Sequence, residues 1–143
     1  MAAEWDRAIR SLIDAPSPAV LTTYRKDGSA NVSPVWFRWN NDAFEVVIAL
    51  GDVKLKHMAR DLRCALLVFE AVPPFRGIDV RGVPELVEGD ITEAREVIAG
   101  RYLGADHGRQ FAAARISTRR RDSQTRRDAA ALKYCRRVYV AVV

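Results

Sequence analysis

Lys54 is the residue where chemistry is easiest to place. It sits in Gly51-Asp52-Val53-Lys54, where an apolar strand pattern gives way to a helical one. A helix start presents unpaired N–H groups and the positive end of aligned peptide dipoles, so a lysine in the first turn reads as a phosphate site. Lys56 and Arg60 follow in the same segment, though helical spacing points them elsewhere. Thr22, Thr23 and Ser33 add hydroxyls from the strands before it, and Val32, Pro34, Val35 and Trp36 make a flat apolar wall beside strand backbone. Such a wall suits a conjugated ring. The same residues also have a plain reading. Asp52 caps the helix, Lys54 is solvated, Trp36 and Phe37 belong to the core, and His57 faces solvent.

Other catalytic patterns are missing. The sequence has no GxSxG, no Walker A run and no GxGxxG. His57 and His107 are its two histidines and form no HExxH, while Cys64 and Cys135 form no CxxC. A hydrolytic triad or a zinc site therefore lacks its usual residues. We assign no side chain a covalent catalytic role and no residue to a metal. Reactivity, if any, would come from a bound cofactor.

These residues need a scaffold. The 143 residues are 49% hydrophobic and 29% charged, and we read 1–143 as one domain, large enough to bury roughly 70% of its unfolded surface. A first helix, Glu4 to Asp14, places Trp5, Ala8, Ile9, Leu12 and Ile13 on one face and stops at Pro16 and Pro18. Strands at 19–24 and 29–37 flank an Asp27-Gly28 hairpin turn. Pro34 cannot donate to a ladder, so its strand is expected at an edge or a bulge. A turn at Asn40-Asn41-Asp42 leads to a third strand at 43–50. A helix over 52–62 then packs Leu55, Met58, Ala59 and Leu62. Strands at 64–70 and 78–88, the latter broken at Gly82 and Pro84, enclose a loop from Val72 to Gly77. Asp90-Ile-Thr-Glu93 has capping-box spacing and opens a helix through Val97, Ile98 and Tyr102 that ends at Gly104. A further helix spans Asp106 to Ile116 and a short strand spans Val138 to Val143. Many strands in meander order with short flanking helices give an α+β fold built on an antiparallel barrel.

Charge is unevenly spread. The formal net charge is +5, yet Arg115 to Arg137 alone holds nine Lys/Arg against two Asp. The remainder, with fourteen Lys/Arg and sixteen Asp/Glu, is slightly acidic. The basicity belongs to one segment, 116–137, read here as a basic or partly disordered connector. No aromatic side chain interleaves Ser117 to Lys133, so we do not read it as a nucleic-acid interface. No apolar run is long enough to span a bilayer and no signal peptide is evident, so we expect a cytoplasmic protein without membrane contact.

Val20-Leu-Thr-Thr-Tyr-Arg-Lys-Asp-Gly-Ser, followed by Val32-Ser-Pro-Val-Trp-Phe37, resembles the pyridoxamine 5′-phosphate oxidase-like split β-barrel superfamily, and within it the flavin/deazaflavin oxidoreductase branch. Lys54-x-x-His57-Met58-x-x-x-Leu62-Arg63 is similar to the lysine-then-asparagine-leucine helix of that branch, with His57 in the asparagine place. Arg81-Gly82 and Gly89-Asp90-Ile91-Thr92 are similar to its later strand and helix. The resemblance spans roughly residues 5 to 115. It implies a six-stranded antiparallel split β-barrel, paired as a homodimer with two cofactor sites at the subunit interface. It implies coenzyme F-420 as first choice, or FMN, with Lys54 on the phosphate and Ser33, Pro34 and Val35 lining the ring. Trp36, Thr22, Thr23, Lys56 and Arg81 complete the expected cofactor-binding set.

The implied activity is hydride transfer between reduced F-420 and a small conjugated or aromatic substrate, whose pocket would be lined by loops such as Val72 to Arg76. The alternatives are an FMN-dependent oxidoreductase of the same type, or a non-catalytic flavin, haem or lipid binding protein. Asp52 and Val53 stand where the family carries Ser or Thr and then Arg. An acid beside a phosphate costs about 1 kcal/mol or more, and losing the arginine removes a bidentate clamp. The arginines of 116–137 could instead receive the polyglutamate tail of F-420.

Overall fold

The computed structural model describes the backbone of residues 2–41, 43–49, 51–88, 90–119, 129–134 and 138–139. Helix α1 (Ala2–Asp14) buries Ile9, Leu12 and Ile13, as its apolar spacing requires; the side chains of Trp5 and Ala8 lie outside the described residues. Strand β1 (Ala19–Tyr24) alternates, with Ala19, Leu21 and Thr23 turned inward. The chain reverses at Asp27-Gly28. Gly28 takes φ +85°, a conformation that costs a residue without Cβ little, and the Asp27 carboxylate accepts the Ser29 N–H at 2.9 Å. Strand β2 (Ala30–Val35) returns antiparallel, in register from Tyr24↔Ala30 to Ala19↔Val35.

The following elements are β3 (Arg38–Asn40), β4 (Ala43–Ala49), α2 (Val53–Arg60), β5 (Cys64–Phe69), β6 (Gly77–Gly82) and β7 (Pro84–Glu88). Asn41 turns the chain between β3 and β4 with φ 50°; Asp42 lies outside the described residues. Then come α3 (Thr92–Leu103), α4 (Ala105–Arg119), β8 (Ala129–Tyr134) and β9 (Val138–Tyr139).

The strands form two antiparallel sheets, ordered β2-β1-β5-β6-β9 and β3-β4-β8-β7. The fold class is α+β as expected, but the described strands do not close into a single six-stranded barrel. Chain breaks are the reason. Trp36 and Phe37 separate β2 from β3, and Val83 separates β6 from β7, so each long apolar run passes from one sheet to the other. The core lies between the sheets, where Leu21, Leu66, Val68, Ile78 and Phe37 meet Phe44, Val46, Ile48 and Met58. Pro34 is tolerated because β2 is an edge strand.

Strand β8 departs most from expectation. It occupies 129–134, inside the segment read as a connector, and lies between β4 and β7. Three successive alanines carry little strand propensity, so its conformation comes from pairing on both sides. Residues 116–119 extend α4, and apart from β8 the rest of 116–137 lies outside the described residues. Among the described residues, no helix is long and apolar enough to cross a membrane.

Candidate functional site

The α2 start decides what Lys54 can do. Asp52 is its N-cap, in extended conformation, and Oδ1 accepts the Lys54 N–H at 2.9 Å. Lys54 Nζ folds back onto the same carboxylate, 3.1 Å from Oδ1 and 2.9 Å from Oδ2. Burial pushes the Asp52 carboxyl up, but the hydrogen bonds and charge of Lys54 outweigh that and hold it below the usual range. Asp52 is thus a cap, while Lys54 is paired rather than solvated, its side chain only 16% exposed.

His57 does not face solvent. It is buried, and its Nδ1 lies 2.9 Å from Thr23 Oγ1. Asn31 Nδ2 approaches the same oxygen at 3.5 Å. The packed face of α2 is Leu55, His57 and Met58, not Leu55, Met58, Ala59 and Leu62. The helix ends at Arg60 and Asp61 is extended, so Leu62 leaves the helical register and is exposed.

A cavity of about 450 Å³ opens beside the α2 start. One wall is Pro18, Pro34, Val35 and Trp36, at the exit of β2. Val47, Ile48 and Ala49 of β4 form its floor, and Asp52 and Lys54 stand at one side. Helix α3 supplies Arg95, Ile98 and Ala99, and α4 supplies Phe111. Four expected residues, Lys54, Pro34, Val35 and Trp36, therefore meet in one place.

The remaining expected residues lie elsewhere. Thr23 is committed to His57. Thr22 pairs across from Val32 and Ala65 and shares their outer sheet face. Ser33 pairs with Leu21 on the inner face, and its Oγ is buried without a hydrogen-bond partner. Lys56 is exposed. Arg81 is exposed on β6 and bonded to Asp79 at 3.0 Å. The loop from Val72 to Arg76 contributes nothing to the described lining.

Arg95 went unread in the sequence. It is only 8% exposed. The buried face of α3 is Ala94, Arg95, Ile98 and Ala99, one step from the Val97–Ile98–Tyr102 stripe, and Val97 is exposed. The signal was available, since Arg95 precedes Ile98 and Ala99 by three and four residues and so shares their face. The capping box is also absent. Asp90 Oδ1 accepts the Thr92 N–H at 3.0 Å, but Glu93 turns to Arg38 instead, with contacts of 2.7 and 2.9 Å. Arg38 in turn holds buried Glu45 at 2.6 Å, tying α3 to the four-stranded sheet.

Further contacts fix the wall. Trp36 stacks on Tyr102 with ring centroids 5.1 Å apart and planes 9° apart, and Phe111 leans on it at 5.4 Å. The Tyr102 hydroxyl donates to Ser17 C=O at 3.0 Å and accepts the Phe37 N–H at 3.3 Å. Burial raises the Tyr102 pKa, so the phenol stays a neutral donor. Arg101 donates to the carbonyls of Ile13 and Ala15, at 2.7 and 3.1 Å, clamping α3 to the end of α1.

The family model for pyridoxamine 5′-phosphate oxidase matches residues 5–133. The chain belongs to this family. Its family includes oxidoreductases, and the fold holds flavin-type cofactors. Among solved structures, a conserved hypothetical protein from Mycobacterium tuberculosis is 19% identical with a TM-score of 0.65, over 93% of this chain and 82% of its own. An F420 reductase is 23% identical with a TM-score of 0.62, over 89% and 93%. The haem storage protein HutZ from Vibrio cholerae is 16% identical with a TM-score of 0.61, over 93% and 92%. At these identities the likeness is one of fold. No curated protein matches the sequence significantly.

The cavity is of a size and lining that can take a small molecule. Its volume is in the range of small-molecule sites, and its walls are mostly apolar with few polar groups. Among the described residues, no cluster of three His, Cys, Asp or Glu could hold a metal ion.

Proposed function

We propose that the protein is an oxidoreductase that moves hydride between reduced F-420 and a small conjugated or aromatic substrate, with FMN as the alternative cofactor. The observation that carries this is the meeting of the Pro34–Val35–Trp36 wall with Lys54 and Arg95 around one cavity of about 450 Å³. A bound deazaflavin or flavin would supply the hydride chemistry. The chain's own residues bind, orient and exclude water. Pro34, Val35 and Trp36 would face the ring, Ile98 and Ala99 would exclude water from the cavity, and the basic side chains would hold the anionic arm. An F420 reductase of similar fold supports the first choice of cofactor.

A homodimer goes with this reading. Val20, Thr22, Val32, Pro34, Ala65 and Leu67 share the outer sheet face by register. Val32 is 61% and Leu67 42% exposed on it, and Pro34 joins that face to the cavity. A second copy there would cover the apolar row and close the site.

The competing reading is a non-catalytic binding protein, favoured by the neutralised Lys54–Asp52 pair. Its haem version is less well supported, because neither His57 nor His107 lines the cavity. Titration of the purified protein with F-420 and with FMN, following ring fluorescence, separates the readings. Micromolar or tighter binding of either, with hydride passed from the reduced ring to a dye acceptor, supports the oxidoreductase; binding without transfer, or binding of neither, supports the binding protein. Light scattering tests the dimer, which a monomer overturns.

A further inference from the structure

The β1–β2 ladder stops at Ala19↔Val35. Pro18 and Trp36, the next residues along each chain, lie past its last pair, and Pro18 has no N–H to extend it. Both line the cavity. Tyr102 ties these two segments together. Its hydroxyl donates to the carbonyl of Ser17, next to Pro18, and accepts the N–H of Phe37, next to Trp36. Its ring stacks on the Trp36 indole, 5.1 Å between centroids and 9° from parallel. Tyr102 itself does not line the cavity. It supports the wall from the last turn of α3 without being part of it.

The neighbouring Arg101 gives a contrast. It donates to the carbonyls of Ile13 and Ala15, and its guanidinium lies 4.9 Å from the centroid of the Phe37 ring. Those contacts fasten the same turn of α3 to α1 and to the core. A ligand gains affinity from a wall already in place, because less has to be ordered on binding.

We propose that Tyr102 is a positioning residue for the ring of the ligand: it sets Pro18 and Trp36 before the ligand arrives. The assignment rests on the reading that a flat conjugated ring occupies this cavity. It places the determinant of ring binding on α3, outside the lining, and apart from the anionic end at Lys54.

The test uses FMN, F-420 and lumiflavin, which carries the flavin ring without a phosphate arm. Binding to the full chain is compared with binding to Tyr102→Phe, Tyr102→Leu and Arg101→Met. Tyr102→Phe is expected to weaken all these probes by a similar factor, at least about threefold. Tyr102→Leu also removes the stacked ring and should cost about tenfold or more. Arg101→Met should lower the urea midpoint yet change each affinity less than about twofold. A second readout needs no ligand. With Trp5 and Trp39 replaced by Phe, Trp36 is the remaining tryptophan. In that background Tyr102→Phe should raise the rate at which acrylamide quenches it, and Arg101→Met should not. Where Tyr102→Leu does not fold, Tyr102→Phe carries the test.

Affinities unchanged in the folded Tyr102 variants overturn the assignment and leave the ring reading intact. A loss with Arg101→Met as large as that with Tyr102→Phe also overturns it, since anchoring α3 would then suffice. A loss that spares lumiflavin places the effect at the anionic end and overturns it too. If no probe binds, the ring reading falls. Faster quenching of Trp36 in Tyr102→Phe then sustains the positioning of the wall, and unchanged quenching overturns both.

Discussion

Nδ1 of His57 lies 2.9 Å from Oγ1 of Thr23, inside the core where α2 meets β1. The pair joins the helix that carries Lys54 to the strand that precedes the ring wall. Thr23→Val keeps the shape and removes the hydroxyl, leaving a buried imidazole nitrogen without its partner. That is expected to cost about 1–3 kcal/mol in urea unfolding. Thr23→Val with His57→Leu should cost less than the sum of the two singles, because the second change removes the stranded group. Additive losses would show that the contact contributes nothing specific.

Arg38 binds Glu45 and Glu93 at once, and Glu45 is 4% exposed. Arg38→Met is expected to destabilise by about 3–5 kcal/mol, since it strands a buried carboxylate. Glu93→Gln should cost no more than about 1 kcal/mol, because that carboxylate is largely exposed. Denaturant unfolding of the two variants checks the ordering.

Gly108 meets α3 at close range. A Cβ built there would lie 2.5 Å from Gly100 N and 2.6 Å from Gly100 Cα, both backbone atoms that cannot turn aside. Gly108→Ala is expected to force α3 and α4 apart at a cost of about 1–3 kcal/mol. The same shift moves Phe111 relative to Trp36, so tryptophan emission should change in the folded state. Gly104→Ala tests a different cause, since no atom crowds that position but its φ is +85°.

What the sequence disclosed follows from the range of each signal. The β1–β2 hairpin was legible because Asp27-Gly28 and two alternating runs are local and agree. Pro34 called for an edge or a bulge in its strand, and β2 lies at the edge. Strand β8 was not legible, because Ala129 to Ala131 has neither alternation nor propensity and takes its form from β4 and β7. At the site, Lys54 and the Pro34–Trp36 wall were legible from short motifs. Arg95 carried the local signal of sharing a face with Ile98 and Ala99, but that this face lines the cavity depends on tertiary packing. His57 was misplaced because polar helix residues default to solvent, whereas here a buried hydroxyl on another strand receives it.

Asp52 links the site to pH. Its folded-state carboxyl lies below the usual range, so its contribution to stability is present above the unfolded value of about 3.9 and is lost as pH falls through the folded value. Asp52→Ala removes both cap and pair and is expected to cost about 0.5–2 kcal/mol at pH 7. Relative to the wild type, that loss should shrink as pH falls from 7 to below about 4, where the ion pair is progressively lost and the cap remains. Asp52→Asn keeps the cap and should cost less at pH 7. Unfolding at both pH values checks this, and a penalty independent of pH would place the effect outside the ion pair.

The arginine-rich segment tests how the anionic end of F-420 is received. Truncation after Arg115 is unsuitable, because it deletes β8 from between β4 and β7. Substituting Arg120, Arg121, Arg126 and Arg127 by Ser in the full chain removes charge and leaves that strand in place. Exposed ion pairs contribute about 0.2–1 kcal/mol each, so four arginines meeting a polyglutamate tail should change F-420 affinity by about fourfold or more at low salt. FMN has no such tail, so its affinity should stay constant. The F-420 difference should also fade as salt is raised toward the physiological range, where screening shortens to about 8 Å. An unchanged F-420 affinity at low salt would mean that the segment has no part in binding the tail.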